Sequence, residues 1–290
     1  DGYGELGSTS LACSEPTGYS AEWTDCDDSN ALVSPEAPET CGNSTDDDCD
    51  GVEDECALAG TLSASDAGAV FEAGAAYDFL GVSSLVIDVN VDGYDDVIQG
   101  ANYADDYGTN GGALYIWHGP VSGAQSASTA DTDYGAGSAA RFGESIAALG
   151  DEDLDGYLDL VIGAPGYDES CENGGAIWLS QGPLSSSGDL SSHTPFVLGS
   201  ASEDQLGVAL MVGDLNGDST LDLLVGASGT NYGSVYLFFG PLSGSTTTSA
   251  ADAEFTGSSS ASGAGGAIAT ADFNGDGADD LLYGGVADSA

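Results

Sequence analysis

The chain carries four copies of one acidic loop, and a chain that repeats a loop at near-constant spacing must repeat the structure around it. The copies open at Asp88, Asp151, Asp214 and Asp272, which lie 63, 63 and 58 residues apart. A period of this length fits one supersecondary unit used several times over, such as a propeller blade. Side-chain oxygens stand at positions 1, 3, 5 and 9 of each copy. The sets are Asp88, Asn90, Asp92 and Asp96; Asp151, Asp153, Asp155 and Asp159; Asp214, Asn216, Asp218 and Asp222; and Asp272, Asn274, Asp276 and Asp280. Position 7, the slot that serves through its main-chain carbonyl in loops of this kind, holds Tyr94, Tyr157, Thr220 and Ala278. Alternating hard oxygens on a tight turn suit a hard cation, so the spacing predicts calcium at about four sites.

These are not helix-loop-helix calcium sites, because the bidentate Glu those need at position 12 is replaced by Gln99, Ile162, Val225 and Tyr283. A short apolar run follows each loop instead: Val97-Ile98, Leu160–Ile162, Leu223–Val225 and Leu281-Leu282. Another precedes it: Leu85–Val89, Ser145–Leu149, Val208–Val212 and Ala267–Ala271. Runs of this length predict paired strands with the loop as their connection. A third strand recurs as Gly111-Gly112-Ala-Leu-Tyr-Ile-Trp-His-Gly119-Pro120, Gly174-Gly175-Ala-Ile-Trp-Leu-Ser-Gln-Gly182-Pro183 and Tyr232-Gly233-Ser-Val-Tyr-Leu-Phe-Phe-Gly240-Pro241. Tyr115, Trp178 and Tyr236 share one slot in it and are expected to pack between sheets. A weaker fourth strand follows, as at 195–198. Four strands in about 60 residues predict an all-β chain of β-propeller blades. The blades are expected near 75–135, 136–199, 200–258 and, in part, 259–290.

Phe-Gly or Leu-Gly steps before the loops (Leu80-Gly81, Phe142-Gly143, Leu206-Gly207) and Gly163-Ala164-Pro165 after the second loop complete a pattern. Over residues 75–290 it resembles the FG-GAP repeat of integrin-alpha-type propellers. That resemblance implies calcium-stabilised blades, a non-enzymatic surface or extracellular role in adhesion or assembly, and ligand contact on the face opposite the calcium loops. The chain departs from the pattern at Ser219, where a turn Gly is expected, and at Gly-Ala-Asn, Gly-Ala-Ser and Gly-Gly-Val in place of Gly-Ala-Pro. The third loop is therefore expected to bind more weakly. Propellers of this kind are expected to hold about seven blades. Here a lone strand near 61–71, three full units and half a fourth are expected. Either the chain is a fragment of a longer ring, or copies complete each other head to tail through open strand edges.

Residues 1–56 hold five of the six cysteines and no blade pattern. Leu-Ala-Cys13, Asp25-Cys26-Asp27-Asp28, Glu39-Thr-Cys41 and the run from Asp46 through Cys49 to Glu55 resemble the metal-binding motif of secreted and surface proteins of the MopE type. Asp46, Asp48, Asp50 and Asp54 again stand at positions 1, 3, 5 and 9, with Val52 at position 7, so the same oxygen geometry and a calcium ion are expected. A segment this short needs staples. Six cysteines allow fifteen pairings. The local reading pairs Cys13 with Cys26 and Cys41 with Cys49, and leaves Cys56 for Cys171.

The chain has 49 acidic residues against one basic residue, Arg141, for a formal charge of -48. Nucleic acid and anionic membrane surfaces would repel it, and no apolar stretch approaches the roughly 20 residues that span a bilayer. A carbohydrate or surface-polymer ligand suits such a charge better than an acidic partner. Disulfide-type cysteines point to an oxidising, extracellular or cell-surface setting, and the MopE-type resemblance implies a secreted bacterial protein. No catalytic constellation is apparent: His118 and His193 stand alone, and the paired carboxylates belong to the loops. The alternative is the propeller domain of a secreted carbohydrate-active enzyme, since the fold alone does not decide.

Overall fold

The computed structural model describes residues 3–5, 22–27, 30, 32–35, 37, 45–49, 67–168, 172–184, 187–190, 193–229, 232–258 and 263–285. It divides into two units, Asp1–Ala67 and Gly68–Ala290. The first contains a parallel pair, β1 (Tyr3–Glu5) and β2 (Glu22–Asp25), and a disulfide between Cys26 and Cys49. This corrects the expected local pairings of Cys26 with Cys13 and of Cys49 with Cys41. The reason is a fold-back: the Ser34 amide donates to the Asp47 carbonyl at 2.8 Å, which runs 45–49 beside the segment that follows Cys26. Cysteines 23 residues apart thereby reach a Cα–Cα distance of 5.6 Å. Closing a loop of that length restricts the unfolded chain by about 3 kcal/mol. Cys13, Cys41, Cys56 and Cys171 lie outside the described residues.

The second unit is all strand and turn among the described residues, apart from single 3-10 turns. β3 (Ala69–Glu72) precedes a first antiparallel sheet of β4 (Leu80–Ile87), β5 (Asp96–Ala101), β6 (Ala113–Trp117) and β8 (Thr132–Gly135). The second sheet is β9 (Ser145–Gly150), β10 (Asp159–Ala164), β11 (Ala176–Ser180) and β13 (Val197–Leu198). The third is β14 (Leu206–Gly213), β15 (Asp222–Ala227), β16 (Ser234–Phe238) and β18 (Ala253–Thr256). β19 (Ala267–Ala271) and β20 (Asp280–Gly284) form a final pair. These are the four-stranded blades that the repeat predicts.

One element went unpredicted. Between the third and fourth strand of each blade, a short strand crosses to the preceding sheet and pairs in parallel with its outer strand. β12 (Gly188–Asp189) joins β8 and β17 (Thr246–Thr247) joins β13; β7 (Gly123–Ser126) joins β3 in the same way. Two-residue strands of Gly, Asp and Thr have no hydrophobic alternation for a sequence reading to detect.

The sheets stack face to face, and the stacking explains the sequence. β10 and β15 are buried at all positions because both faces are covered. On β10, Leu160 and Ile162 pack with Ile98 and Ile116 of the preceding blade and with Phe142 at the start of their own, while Val161 points the other way, toward Leu223 and Val225. That is why these strands read as unbroken apolar runs rather than as an alternation. Trp178 is 2 % exposed and meets Phe142 and Tyr167 edge to face at 5.7 and 4.8 Å. Tyr115 and Tyr236 are buried in the same slot.

The glycine steps fix how closely the blades approach. Gly163 on β10 backs onto Gly207 of the next blade, and a Cβ there would lie 2.2 Å from the Gly207 carbonyl oxygen. Gly207 itself has φ +92°, a left-handed conformation that costs other residues roughly 1–2 kcal/mol. Ser145 Oγ donates to the same carbonyl at 2.7 Å, as Ser83 Oγ donates to the Gly143 carbonyl at 2.6 Å one blade earlier. The Phe-Gly and Gly-Ala steps are thus two halves of one contact between blades.

Candidate metal centres

Each acidic loop joins the first two strands of its blade, β4 to β5, β9 to β10, β14 to β15 and β19 to β20. Turning so sharply leaves main-chain N–H groups without strand partners, and the loop carboxylates accept them. The first Asp takes two in every loop, and in the third and fourth a further one, from Gly217 at 2.7 Å and Gly275 at 2.6 Å. Oδ1 of Asp88, Asp151, Asp214 and Asp272 accepts the position-5 amide at 3.1, 2.9, 3.0 and 3.2 Å. The other oxygen accepts the position-6 amide at 2.9, 2.9, 2.8 and 3.0 Å. Position 3 (Asn90, Asp153, Asn216, Asn274) also accepts from the position-5 amide, at 2.9 to 3.2 Å. Position 5 (Asp92, Asp155, Asp218, Asp276) accepts from the amide of position 7, which is Tyr94, Tyr157, Thr220 or Ala278. Four loops that share these contacts are four versions of one cup.

These contacts orient the oxygens and set their acidity. Main-chain N–H groups of Gly277 and Gly275 hold Asp272 below the usual carboxylate range, and the Thr220 amide, helped by Asn216, does so for Asp218. In the second loop, oxygens of Asp151, Asp153 and Asp155 all lie within 4.8 Å of one another. A carboxylate oxygen that accepts one N–H keeps a lone pair, so the donor set still fits a hard, oxygen-seeking divalent cation.

Position 9 behaves differently. Asp96, Asp159 and Asp222 are fully buried, and each spans two pieces of its blade. One oxygen accepts the position-2 amide of Val89, Glu152 or Leu215 at 3.0, 3.0 and 2.9 Å. The other accepts the amide of Gly119, Gly182 or Gly240, in the Gly-Pro corner after the third strand, at 2.8, 2.9 and 3.0 Å. Burial pushes the Asp159 and Asp222 carboxyls upward, against those N–H bonds. Asp280 accepts from Phe273 and from the Asn274 amide group.

The profile of the FG-GAP-like repeat matches residues 214–283 and that of the FG-GAP repeat matches residues 142–180. The chain carries FG-GAP repeats. A MopE-type metal-binding motif matches residues 25–55. Integrin alpha-6 of Gallus gallus is 35% identical over 115 residues, 39% of this chain and 10% of that protein. Integrin alpha-IIb of Homo sapiens is 36% identical over 169 residues, 54% of this chain and 16% of that protein. The phosphatidylinositol-glycan-specific phospholipase D of Bos taurus is 34% identical over 162 residues, 52% of this chain and 19% of that protein. The chain thus spans less than a fifth of the length of each of these relatives. A solved rhamnogalacturonan lyase, YesW, superposes over 71% of this chain and 40% of its own at a TM-score of 0.42 and 13% identity, a likeness too loose to carry an argument.

Within the FG-GAP repeats the structure also places residues that sequence reasoning set aside. His118 is not solitary: its Nδ1 lies 3.2 Å from the Asn90 amide nitrogen and 3.4 Å from Asp96 Oδ2. Gln181, one blade on, donates from Nε2 to Asp153 Oδ2 at 2.9 Å. The signal was available, since both residues immediately precede the Gly-Pro corner that the position-9 Asp grips. In the first unit, Asp46 and Asp48 are half-buried beside the Cys26–Cys49 disulfide, whereas Asp50, Val52 and Asp54 lie outside the described residues. Among the described residues no helix is long and apolar enough to cross a membrane.

Proposed function

We propose that this chain is part of a secreted or cell-surface, non-enzymatic protein whose propeller blades are rigidified by calcium and present their opposite face to a ligand. The observation that carries this reading is the recurring oxygen cup between the first two strands of every blade, with hard donors at positions 1, 3 and 5. Calcium is favoured over softer metals by an all-oxygen donor set with no thiolate. Similarity to integrin alpha chains supports the extracellular setting and a role in adhesion or assembly. The charge of -48 favours a neutral, hydroxyl-rich ligand such as a carbohydrate or surface polymer. A second reading, a propeller attached to a catalytic domain, is favoured by the similarity to the phospholipase.

Isothermal calorimetry of calcium into chelator-stripped protein, with circular dichroism before and after, tests the reading. Uptake at about four propeller sites with a gain in β-structure supports it. Absence of uptake overturns it and leaves the loops as hairpins closed by their own carboxylates. Electron microscopy with and without chelator separates an adhesin from an assembling component by the presence of polymers that dissolve.

A further inference from the structure

The residue just before the Gly-Pro corner differs in each complete blade, and in the first two blades its side chain reaches the metal loop of its own blade. In the second blade Gln181 Nε2 donates to Asp153 Oδ2 at 2.9 Å, while Asp153 Oδ1 accepts the Asp155 amide at 3.2 Å. Both oxygens of that carboxylate are therefore anchored, one from inside the loop and one from outside. In the first blade the Asn90 amide nitrogen reaches His118 Nδ1 at 3.2 Å as well as Asp92 Oδ2 at 2.9 Å. In the third blade the equivalent residue is Phe239, which has no polar side-chain atom, and among the described residues Asn216 is held by Asp218 alone, through contacts of 2.9 Å in each direction.

We propose that Gln181, His118 and Phe239 form a positioning slot that grades the affinity of the metal loops, with the second loop tightest, the first next and the third weakest. The inference rests on the calcium reading above. A ligand held in its binding rotamer before the ion arrives loses less freedom on binding, and contacts made from behind a first ligand typically change metal affinity about 10–100-fold. In the second loop the slot has a further effect. Asp153 brings a third carboxylate close to Asp151 and Asp155, and the Gln181 amide offsets that crowding by donating to the oxygen turned away from the loop. The third loop lacks the slot contact and also has Ser219 at φ +70°, so two independent features weaken it.

The test uses the full chain and terbium as a luminescent probe displaced by calcium. Tyr157 and Tyr94 occupy position 7 and can sensitise terbium in the second and first loops. A Tyr94→Phe background leaves the second loop as the position-7 reporter. There, Gln181→Leu is expected to weaken calcium displacement about tenfold, Gln181→His to restore most of it, and the melting temperature in chelator to stay where it was. Phe239→Gln is expected to raise affinity at one further, calorimetrically resolved site. If wild-type protein takes up neither ion, the calcium reading fails. If it takes up both and Gln181→Leu leaves affinity unchanged, or lowers stability in chelator equally, the positioning slot alone is overturned.

Discussion

Replacing Asp159 with Ala separates two jobs that the acidic loops combine. Asp159 is fully buried, and its oxygens accept the amides of Glu152 at 3.0 Å and Gly182 at 2.9 Å. Removal strands two N–H groups inside the blade, at about 1–3 kcal/mol each. Part of that is returned, because burial of the carboxylate is itself unfavourable, as the upward push on its pKa records. The net cost is about 2–4 kcal/mol, or a fall of about 4–16 °C in melting temperature for a unit of this size. The cost should appear in chelator, where no ion contributes. Asp153→Ala is the control: Asp153 is exposed at the mouth of the same loop, so its loss should remove calcium binding there without lowering the melting temperature in chelator. Differential scanning calorimetry in EDTA, followed by calcium titration, reads both. Equal falls for the two variants, or no fall for Asp159→Ala, would refute the idea that position 9 is a strut of the blade.

Other outcomes follow from the same geometry. Gly163→Ala places a Cβ 2.2 Å from a backbone oxygen of the next blade and should cost at least about 2 kcal/mol by thermal melting, whereas Gly188→Ala, with open space around it, should not. Ser219→Gly, at φ +70°, should stabilise the third loop by about 1 kcal/mol and tighten its calcium binding in calorimetry. Alkali should unfold the propeller unit. Burial pushes Tyr236 up to about 12 and raises Tyr107 and Tyr115 too, the last two helped by hydroxyl contacts with Asp133 and Asp106. A pKa raised in the folded state means the fold holds the proton more tightly than the unfolded chain does. That stabilisation is complete below the ordinary tyrosine value of 10.0 and is lost as pH rises through about 12. Absorbance at the phenolate band should therefore show late tyrosines titrating together with loss of circular dichroism.

The blades were legible because several signals agreed at each position. An apolar run before the loop, another after it and a Gly-Pro corner all recur in phase, so an error in one element would have been exposed by its repeats. The disulfide was not legible, because sequence proximity favoured neighbours while Cys26 pairs across a fold-back that only the Ser34–Asp47 contact reveals. The crossing strands β7, β12 and β17 escaped because main-chain pairing, not side-chain pattern, makes them.

The double role of position 9 was hidden for a different reason. A residue spaced as a ligand gives no sequence sign that it also holds a corner about 23 residues away, yet Asp96 and Asp159 do so. The consequence is mechanical. The same acidic loop that would hold an ion is tied through its last Asp to the end of the third strand, so an ion at positions 1, 3 and 5 stiffens a loop already joined to the blade interior. Without a cation the crowded carboxylates of a chain carrying -48 charges repel one another across that joint. Metal binding and blade stability should therefore move together, blade by blade. The blade with the weakest loop, the third, should be the first to open as free calcium falls, which hydrogen exchange across Leu206–Gly213 against Ser145–Gly150 would register as earlier loss of protection.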